Sequence, residues 1–209
     1  MTAAQADLHT QPLEAPQEIA EGIRIDRPDV ADGAALWRIA GESKALDLNS
    51  SYSYLLWCRD FADTSAVARD ESGEPVGFVT GYVRPGRPDT LLVWQVAVDE
   101  AHRGLGLAGA LLDGLTERVA RRHPLTTVET TITPGNTASE RLFAAYAARH
   151  GADIERTVLF ETADFPDGPH APEMLHRIGP LSPEPHPHAP SPHPPLPHSL
   201  PHAPRSDST

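Results

Sequence analysis

The chain has 209 residues, with 17 basic and 29 acidic side chains, a formal net charge of −12 and a single cysteine. The acidic balance argues against nucleic-acid binding through a basic face, because phosphate contacts need clustered Lys and Arg. One cysteine cannot form an internal disulfide, and no apolar run reaches the roughly 20 residues that span a bilayer. The first residues lack a basic start and an apolar stretch, so we expect no signal peptide. We therefore expect a soluble, cytoplasmic protein with no nucleic-acid and no membrane partner.

The prolines divide the chain into a domain and two tails. Residues 180–209 hold half of the 22 prolines and five of the 11 histidines, a composition that predicts a disordered tail. Its histidines could bind a metal ion, but the interleaved prolines argue against a preorganised site. Residues 1–22 read as a flexible acidic arm with a charge of −4, and the tail carries −1, which leaves −7 for a single domain at residues 23–179. That length is ample for one core.

The hydrophobic pattern of the domain predicts one strand, two helices, three strands, and then helix, strand, helix and strand. The predicted strands cover residues 23–25, 65–69, 76–83, 91–98, 125–132 and 154–161, and the predicted helices cover 28–39, 52–61, 106–121 and 136–149. The run 91–98 is apolar on both faces, as a central strand covered on both sides should be. This order predicts an α/β fold with a mixed central sheet flanked by helices.

A glycine-rich segment, residues 102–112, lies between the predicted central strand and an amphipathic helix. Glycines let backbone N–H groups turn toward one point, and the new helix adds its positive end, so the segment suits a pyrophosphate. Gly104-x-Gly106-x-x-Gly109 also satisfies the dinucleotide-binding pattern. Five residues separate it from the strand, however, and too few residues follow it for such a domain. A third interpretation is that the glycines only pack the helix close to the sheet.

The spacing Arg103-x-x-Gly106-x-Ala108 resembles the coenzyme A pyrophosphate loop of the GNAT acyltransferase superfamily, Gln/Arg-x-x-Gly-x-Gly/Ala. Asn136 at the start of a later helix is a second shared feature. The resemblance implies a GNAT-type sheet, acetyl-CoA as co-substrate and no metal. In it, backbone N–H groups hold the pyrophosphate and the central strand pairs with the pantetheine arm. The cofactor contacts that it implies are Val96, Ala97, Val98, Arg103, Gly104, Leu105, Gly106, Leu107, Ala108, Gly109, Asn136 and Phe143.

Five further blocks resemble one branch of that superfamily, the diaminobutyrate acetyltransferases of ectoine biosynthesis. They read DLNSSYSY (47–54), GFVTGY (77–82), RPDT (87–90), VWQV (93–96) and ETTITP (129–134). They are spread over the whole domain and are far more specific than the glycine loop. The resemblance implies acetyl transfer from acetyl-CoA to the γ-amine of L-2,4-diaminobutyrate. Superfamily members often dimerise, so it also implies a homodimer.

The implied reaction is attack of a neutral amine on a thioester, which needs a proton acceptor and donors for the oxyanion. The backbone N–H groups of Val96 and Val98 are the natural catalytic donors. Many superfamily members carry a tyrosine seven residues after the asparagine, where this chain has Phe143, so we assign no general acid; Tyr146 is a weak substitute. Glu129 is either a base acting through water or a strand carboxylate that faces solvent.

Substrate contacts are expected from a few polar and aromatic residues. Asp47 would bind an amine of the substrate or else cap the following helix, and Trp94 would form an apolar wall or belong to the core. Tyr52 stands in the same block as Asp47. The resemblance also implies that His170 and Glu173, in a rigid loop, contact the substrate. The alternative interpretation, of equal weight, is that both are surface residues of a turn.

Two other functions remain open on the sequence. The acceptor could be another amine, such as a polyamine, an amino-sugar drug or a protein terminus. Alternatively, the chain could be a non-catalytic module that binds acyl-CoA, which the absent tyrosine favours and the substrate-side blocks oppose.

Overall fold

The computed structural model of the protein describes residues 17–20, 22–44, 46–166, 168 and 170–181. The predicted disorder of residues 1–16 and 182–209 therefore lies outside the described residues. The strands are β1 (Gln17–Ala20), β2 (Ile23–Asp26), β3 (Ala66–Arg69), β4 (Pro75–Arg84), β5 (Arg87–Val98), β6 (Thr127–Ile132), β7 (Asp153–Phe160) and β8 (Glu173–Gly179). The helices are α1 (Gly33–Ser43), α2 (Ser51–Asp60), α3 (Leu107–Ala120) and α4 (Thr137–Arg149).

The strands form one sheet in the order β1-β2-β3-β4-β5-β6-β8-β7. All neighbouring strands are antiparallel except β5 and β6, which are parallel. Helix α3 supplies the crossover that a parallel pair requires. The predicted mixed sheet flanked by helices is confirmed.

Two hydrophobic cores lie on opposite faces of this sheet. The larger packs the apolar stripe of α3 and the inner face of α4 against the sheet, and includes Leu111, Leu115, Phe143 and Tyr146. The smaller packs α1 and α2 against β3, β4 and β5 around Tyr54 and Phe78, among others. Central strand β5 is thus covered on both faces, as its apolar sequence predicts. Within the described part of the chain, no helix has the length and apolar character to cross a membrane.

Two strands were missed by the sequence pattern. Strand β8 inserts between β6 and β7, and its alternation of inward side chains runs through His176 and Ile178, so a polar residue interrupts the apolar signal. Strand β1 lies in the predicted flexible arm and pairs with β2. Its four residues alone carry too little pattern, and the neighbouring strand decides their conformation.

The predicted domain end at residue 179 also needs correction. The composition places Leu181 in the predicted disordered tail, but this residue is only 8% exposed and packs in the larger core. Its N–H donates to the carbonyl oxygen of Thr126 at 2.8 Å. One leucine among prolines gives no periodic signal, so its burial could not be predicted from the sequence. It is buried because the folded core offers an apolar surface for it to pack against.

Candidate active site

Strands β5 and β6 separate at the centre of the sheet. Their parallel pairing runs from Thr90 opposite Thr127 to Val93 opposite Thr130 and stops there. Strand β5 continues to Val98, still paired with β4 on its other side. Among the described strands, none covers the outer backbone edge of the last residues of β5, and this edge opens a cleft between β5 and β6.

The backbone of Val96 and Val98 points into this cleft. The N–H of Asp99 donates to the carbonyl oxygen of Val76 at 2.9 Å, and Val98 lies opposite Gly77. In an antiparallel ladder this pattern makes Val98–Gly77 a non-hydrogen-bonded pair, so the backbone groups of Val98 face away from β4. The same holds two residues earlier for Val96. Ala97, between them, bonds to β4 and buries its side chain.

A β-bulge at Trp94 changes which side chains of β5 face which helices. Thr80 pairs with Gln95 but Gly81 pairs with Val93, so Trp94 is the extra residue. Side chains 91 and 93 pack in the larger core, and after the bulge it is 96 and 98 that do so. Trp94 and Gln95 consequently both face α2, whereas a regular strand would place them on opposite faces.

Helix α2 and the loop before it complete this side of the cleft. The side-chain amide of Gln95 donates to the carbonyl oxygen of Asp47 at 2.9 Å and accepts from the hydroxyl of Tyr54 at 3.0 Å. The Asp47 side chain is exposed. The N-cap of α2 is Ser50, so the alternative reading of Asp47 as the helix cap is wrong.

Aromatic rings line the surface next to Asp47. Trp94 is 51% exposed and stacks on Trp57 of α2 with ring centroids 6.4 Å apart, so it is not an ordinary core residue. Tyr52, in the first turn of α2, is 64% exposed. Neither Trp57 nor Gln95 is among the site residues that the sequence predicts. The helical spacing of Trp57 from Tyr54 was a usable signal, but the contact of Gln95 depends on the bulge.

The N-terminus of α3 lies just beyond the open edge of β5. Gly104 and Gly106 have φ values of 82° and 76°, and a Cβ at either position would meet nothing within 4 Å. These glycines therefore serve the backbone turn and not close packing. The first backbone bond of the helix is from Ala110 to Gly106, so the N–H groups of residues 107–109 precede the intrahelical ladder. Backbone N–H groups in this position at a helix N-terminus suit an anion, and we refer to residues 103–109 as the anion cradle.

Arg103 lies at the mouth of this cradle. Its side chain is exposed, and Nε donates to the carbonyl oxygen of Val98 at 3.3 Å. The guanidinium thus bridges the cradle and the open edge of β5. The predicted cofactor residues 96–98 and 103–109 are brought together in one place.

His170 and Glu173 lie at the same end of the sheet. Glu173 begins β8, whose next residue, Met174, pairs with Ile132 at the carboxyl end of β6. His170 stacks on Phe165 with ring centroids 4.0 Å apart, and its Nε2 is 4.0 Å from a carboxylate oxygen of Glu173. These two residues therefore border the far side of the cleft from Asp47.

Two predicted cofactor residues have structural partners of their own. Asn136 is the N-cap of α4, where its side-chain oxygen accepts from the N–H of Ser139 at 3.1 Å. Phe143 is 3% exposed and packs in the larger core. Tyr146 is fully buried between α3 and α4, and burial raises its pKa to about 12. A cofactor contact of Asn136 and Phe143 stays a prediction, while Tyr146 has no access to the cleft.

Glu129 differs from both readings of the sequence. Its side chain is fully buried, and its two carboxylate oxygens accept from Arg84 at 2.8 Å and from Arg177 at 3.0 Å. It does not face solvent, and both of its carboxylate oxygens already accept from arginines. Across residues 22–44, 46–166 and 170–181, no group of three or more His, Cys, Asp or Glu side chains is arranged to hold a metal ion.

Comparison of the amino-acid sequence with known proteins identifies the family of this chain. Residues 34–147 match the model of the acetyltransferase (GNAT) family. An L-2,4-diaminobutyric acid acetyltransferase from Streptomyces avermitilis is 71% identical over 87% of this chain and 99% of that protein. Its counterpart from Streptomyces coelicolor is 67% identical over 87% of this chain and 98% of its own length. The chain belongs to the L-2,4-diaminobutyric acid acetyltransferases of the GNAT family.

Solved structures agree with this assignment to the GNAT family. A diaminobutyrate acetyltransferase from Paenibacillus lautus, in complex with L-2,4-diaminobutyric acid and coenzyme A, is 40% identical with a TM-score of 0.72. The match covers 77% of this chain and 96% of that one. Ard1 from Thermoplasma volcanium is 21% identical with a TM-score of 0.60, which shows a shared fold.

Proposed function

We propose that this GNAT family member transfers the acetyl group of acetyl-CoA to the γ-amine of L-2,4-diaminobutyrate, giving N4-acetyl-L-2,4-diaminobutyrate for ectoine biosynthesis. The observation that carries the proposal is the open edge of β5, whose free N–H groups lie between an anion cradle and a surface with an exposed carboxylate. A thioester and a diamine meet at such a junction. The relatives from Streptomyces and Paenibacillus lautus support this choice of substrate.

The cofactor lies with its pyrophosphate on the N–H groups at the start of α3. The α3 N-terminus favours anions, and Arg103 adds a full positive charge in a domain that is otherwise acidic. The pantetheine arm pairs with the uncovered backbone edge of residues 96–98 as an added strand. This path brings the thioester to the point where β5 and β6 separate.

The amino acid substrate lies between the Asp47 side and the His170 side of the cleft. Asp47 binds an ammonium group, and Trp94 and Tyr52 provide the apolar wall beside the carbon chain. Glu173 is the second carboxylate within reach of an amine, and His170 is held in orientation by its stacking on Phe165. A substrate with two amines and one carboxylate needs both sides.

The proposed acetyl transfer has two requirements: removal of a proton from the attacking amine and stabilisation of the oxyanion. The attacking amine must lose its proton, because an alkyl ammonium is mostly protonated at neutral pH. The carbonyl oxygen gains negative charge as the amine attacks, and the N–H groups of Val96 and Val98 stabilise it because they are already fixed in the strand. Collapse of this intermediate breaks the C–S bond, coenzyme A leaves as its thiolate, and the proton lost by the attacking nitrogen passes to water or to that thiolate.

The test is release of free coenzyme A thiol from acetyl-CoA by the purified full-length chain. We expect rapid release with L-2,4-diaminobutyrate, much slower release with ornithine and lysine, and NMR evidence of acetylation at the γ-nitrogen. Similar rates with all diamines would contradict the choice of substrate. Absence of acceptor-dependent release would favour a module that only binds acyl-CoA.

A pair of variants tests the substrate side of the proposal. Asp47→Asn should raise the KM for diaminobutyrate about 10-fold, as expected for loss of a charged hydrogen bond, and leave the KM for acetyl-CoA unchanged. Asp60→Asn at the far end of α2, where Asp60 pairs only with the neighbouring Arg59 among the contacts described, is the matched control. A change in the KM for acetyl-CoA would show that Asp47 acts elsewhere.

The quaternary structure and location are part of the proposal. We infer a homodimer in the cytoplasm. Strand β7 is at the edge of the sheet and exposes Val158, Leu159 and Phe160 by 39–48% each, an apolar surface typical of a contact between protein chains. Light scattering of the purified protein should give twice the chain mass, and Val158→Lys should give the mass of one chain.

A further inference from the structure

The side-chain amide of Gln95 joins the substrate side of the cleft to the strand that holds the thioester. We propose that Gln95, oriented by Tyr54, is a positioning residue. It sets where the Asp47 loop (residues 46–50) lies relative to the N–H of Val96, and it thereby determines the affinity for the diamine. This inference rests on the proposed function of the cleft. It concerns two residues to which the proposed function assigns no contact with the substrate or the cofactor.

The contacts of Gln95 occupy both ends of its amide. Nε2 donates to the carbonyl oxygen of Asp47 at 2.9 Å, and Oε1 accepts from the hydroxyl of Tyr54 at 3.0 Å. Gln95 is 6% exposed and Tyr54 is fully buried, so water does not compete for these bonds. A buried amide with both ends satisfied has one orientation, and its length fixes the separation of the groups it joins.

Tyr54 has a fixed position of its own. Its ring packs edge-on against Phe78 of β4 with centroids 6.2 Å apart. Its hydroxyl is a neutral donor at physiological pH, as tyrosine ordinarily is, and burial raises its pKa further. The hydroxyl also interacts with Asn49, in the same loop as Asp47. Tyr54 thus orients Gln95 and contacts the loop that Gln95 holds.

The bulge at Trp94 is what makes this linkage possible. It places Gln95 on the α2 face, while the next residue, Val96, directs its N–H into the cleft. The anchor of the Asp47 loop and the proposed oxyanion donor are therefore adjacent in the chain. A shift of the loop moves the Asp47 carboxylate relative to the thioester, and the bond from Gln95 to the Asp47 carbonyl opposes that shift.

The experiment compares three variants of the full-length chain with acetyl-CoA and diaminobutyrate. Gln95→Leu removes both bonds and leaves the Asp47 carbonyl without its buried donor, so the KM for diaminobutyrate should rise about 5- to 50-fold. Tyr54→Phe removes one bond and should raise it about 3-fold. The KM for acetyl-CoA should change less than about 2-fold in each, since the cradle is elsewhere.

Gln95→Glu provides a readout that a general loss of stability would not produce. The carboxylate accepts from Tyr54 but cannot donate to Asp47, whereas the protonated acid can do both. Burial raises the pKa of a glutamate at this position. The KM for diaminobutyrate, divided by that of the unmodified protein at the same pH, should therefore fall from pH 8 to pH 6.

Thr116→Val is the control for stability. The Thr116 hydroxyl is buried in α3 and bonds to the carbonyl oxygen of Leu112 at 2.9 Å, far from the Asp47 loop. It should lower the melting temperature without changing the KM for diaminobutyrate. An unchanged KM in Gln95→Leu, equal rises for both substrates, or a pH-independent ratio in Gln95→Glu would overturn the proposal. If the unmodified chain releases no coenzyme A with diaminobutyrate, the proposed function itself fails.

Discussion

Glu129 and Arg177 lie opposite each other on β6 and β8, and Arg177 donates through both Nε and Nη2 to one carboxylate oxygen, at 3.0 and 2.9 Å. The other carboxylate oxygen accepts from Arg84, at the end of β4. One fully buried carboxylate therefore links the three strands β4, β6 and β8. This linkage binds β8 to the sheet, and we assign it a structural role.

Glu129→Gln should reduce the free energy of unfolding by about 2 kcal/mol, because two arginines lose their charged partner. Urea denaturation measures this loss, and steady-state kinetics at 25 °C should give unchanged KM values. Glu155→Gln is the matched control, since Glu155 is exposed and 4.0 Å from Arg177, and should have almost no effect. A large loss of turnover in folded Glu129→Gln would contradict a purely structural role.

Gly106→Ala should weaken acetyl-CoA binding, because its φ of 76° is costly for alanine and the cradle depends on that turn. We expect a loss of stability of about 1–2 kcal/mol and a rise in the KM for acetyl-CoA. Gly73→Ala tests the conformational cost alone: its φ is 88°, it also has open space around it, and it lies in the β3–β4 turn. Only Gly106→Ala should raise the KM for acetyl-CoA.

Cys58 should be unreactive toward thiol reagents in the folded protein. It is 2% exposed, and burial raises the pKa of its thiol from 9.0 to about 12. A thiol titration should detect Cys58 only after denaturant is added. Rapid labelling of the native protein would contradict this burial.

The same pKa shift of Cys58 predicts a dependence of stability on pH. Above pH 9 the unfolded chain ionises this thiol while the folded chain keeps it protonated until about pH 12. The stabilisation is therefore complete below pH 9 and is lost as the pH rises toward 12. Unfolding free energies measured from pH 8 to pH 10.5 should fall less steeply in Cys58→Ala.

Two truncations should locate the end of the domain. A chain ending at Leu181 should keep the stability and turnover of the full chain, because the composition of residues 182–209 predicts a disordered segment. A chain ending at Gly179 should lose about 2 kcal/mol, since Leu181 is buried in the core. Leu181→Ala in the full chain should reproduce part of that loss. Equal stability of both truncated chains would show that Leu181 contributes nothing.

Much of the fold could be predicted because its elements carry strong local patterns. The apolar run of β5, the leucine spacing of α3 and the glycines before it identify the central strand, the crossover helix and the cradle. Strand β8 could not be found this way. Its inward positions include His176, and its pairing partners β6 and β7 come from distant parts of the chain. The burial of Leu181 depends on the same non-local packing.

The candidate site residues also fall into two groups: those predictable from a local motif and those that only the fold brings together. Residues 103–109 are adjacent in sequence, so a short motif suffices to place them together. Asp47 and Gln95 are far apart in the chain, and only the bulge at Trp94 brings the Gln95 amide to the Asp47 carbonyl. The sequence around Glu129 resembles that of an ordinary strand with an exposed carboxylate. Its burial depends on ion pairs with two arginines from other strands.

The amino-acid sequence by itself determined the acidic domain, the order of most of its elements, the anion cradle and the family resemblance, since each depends on residue types at short or recognisable spacings. Only the tertiary structure decided which backbone edge of β5 stays open, which carboxylates are exposed and which side chain anchors the Asp47 loop. The physical reason is that hydrogen-bond partners and burial are set by strands that meet across the sheet. A single extra residue in β5 reverses the facing of every side chain after it.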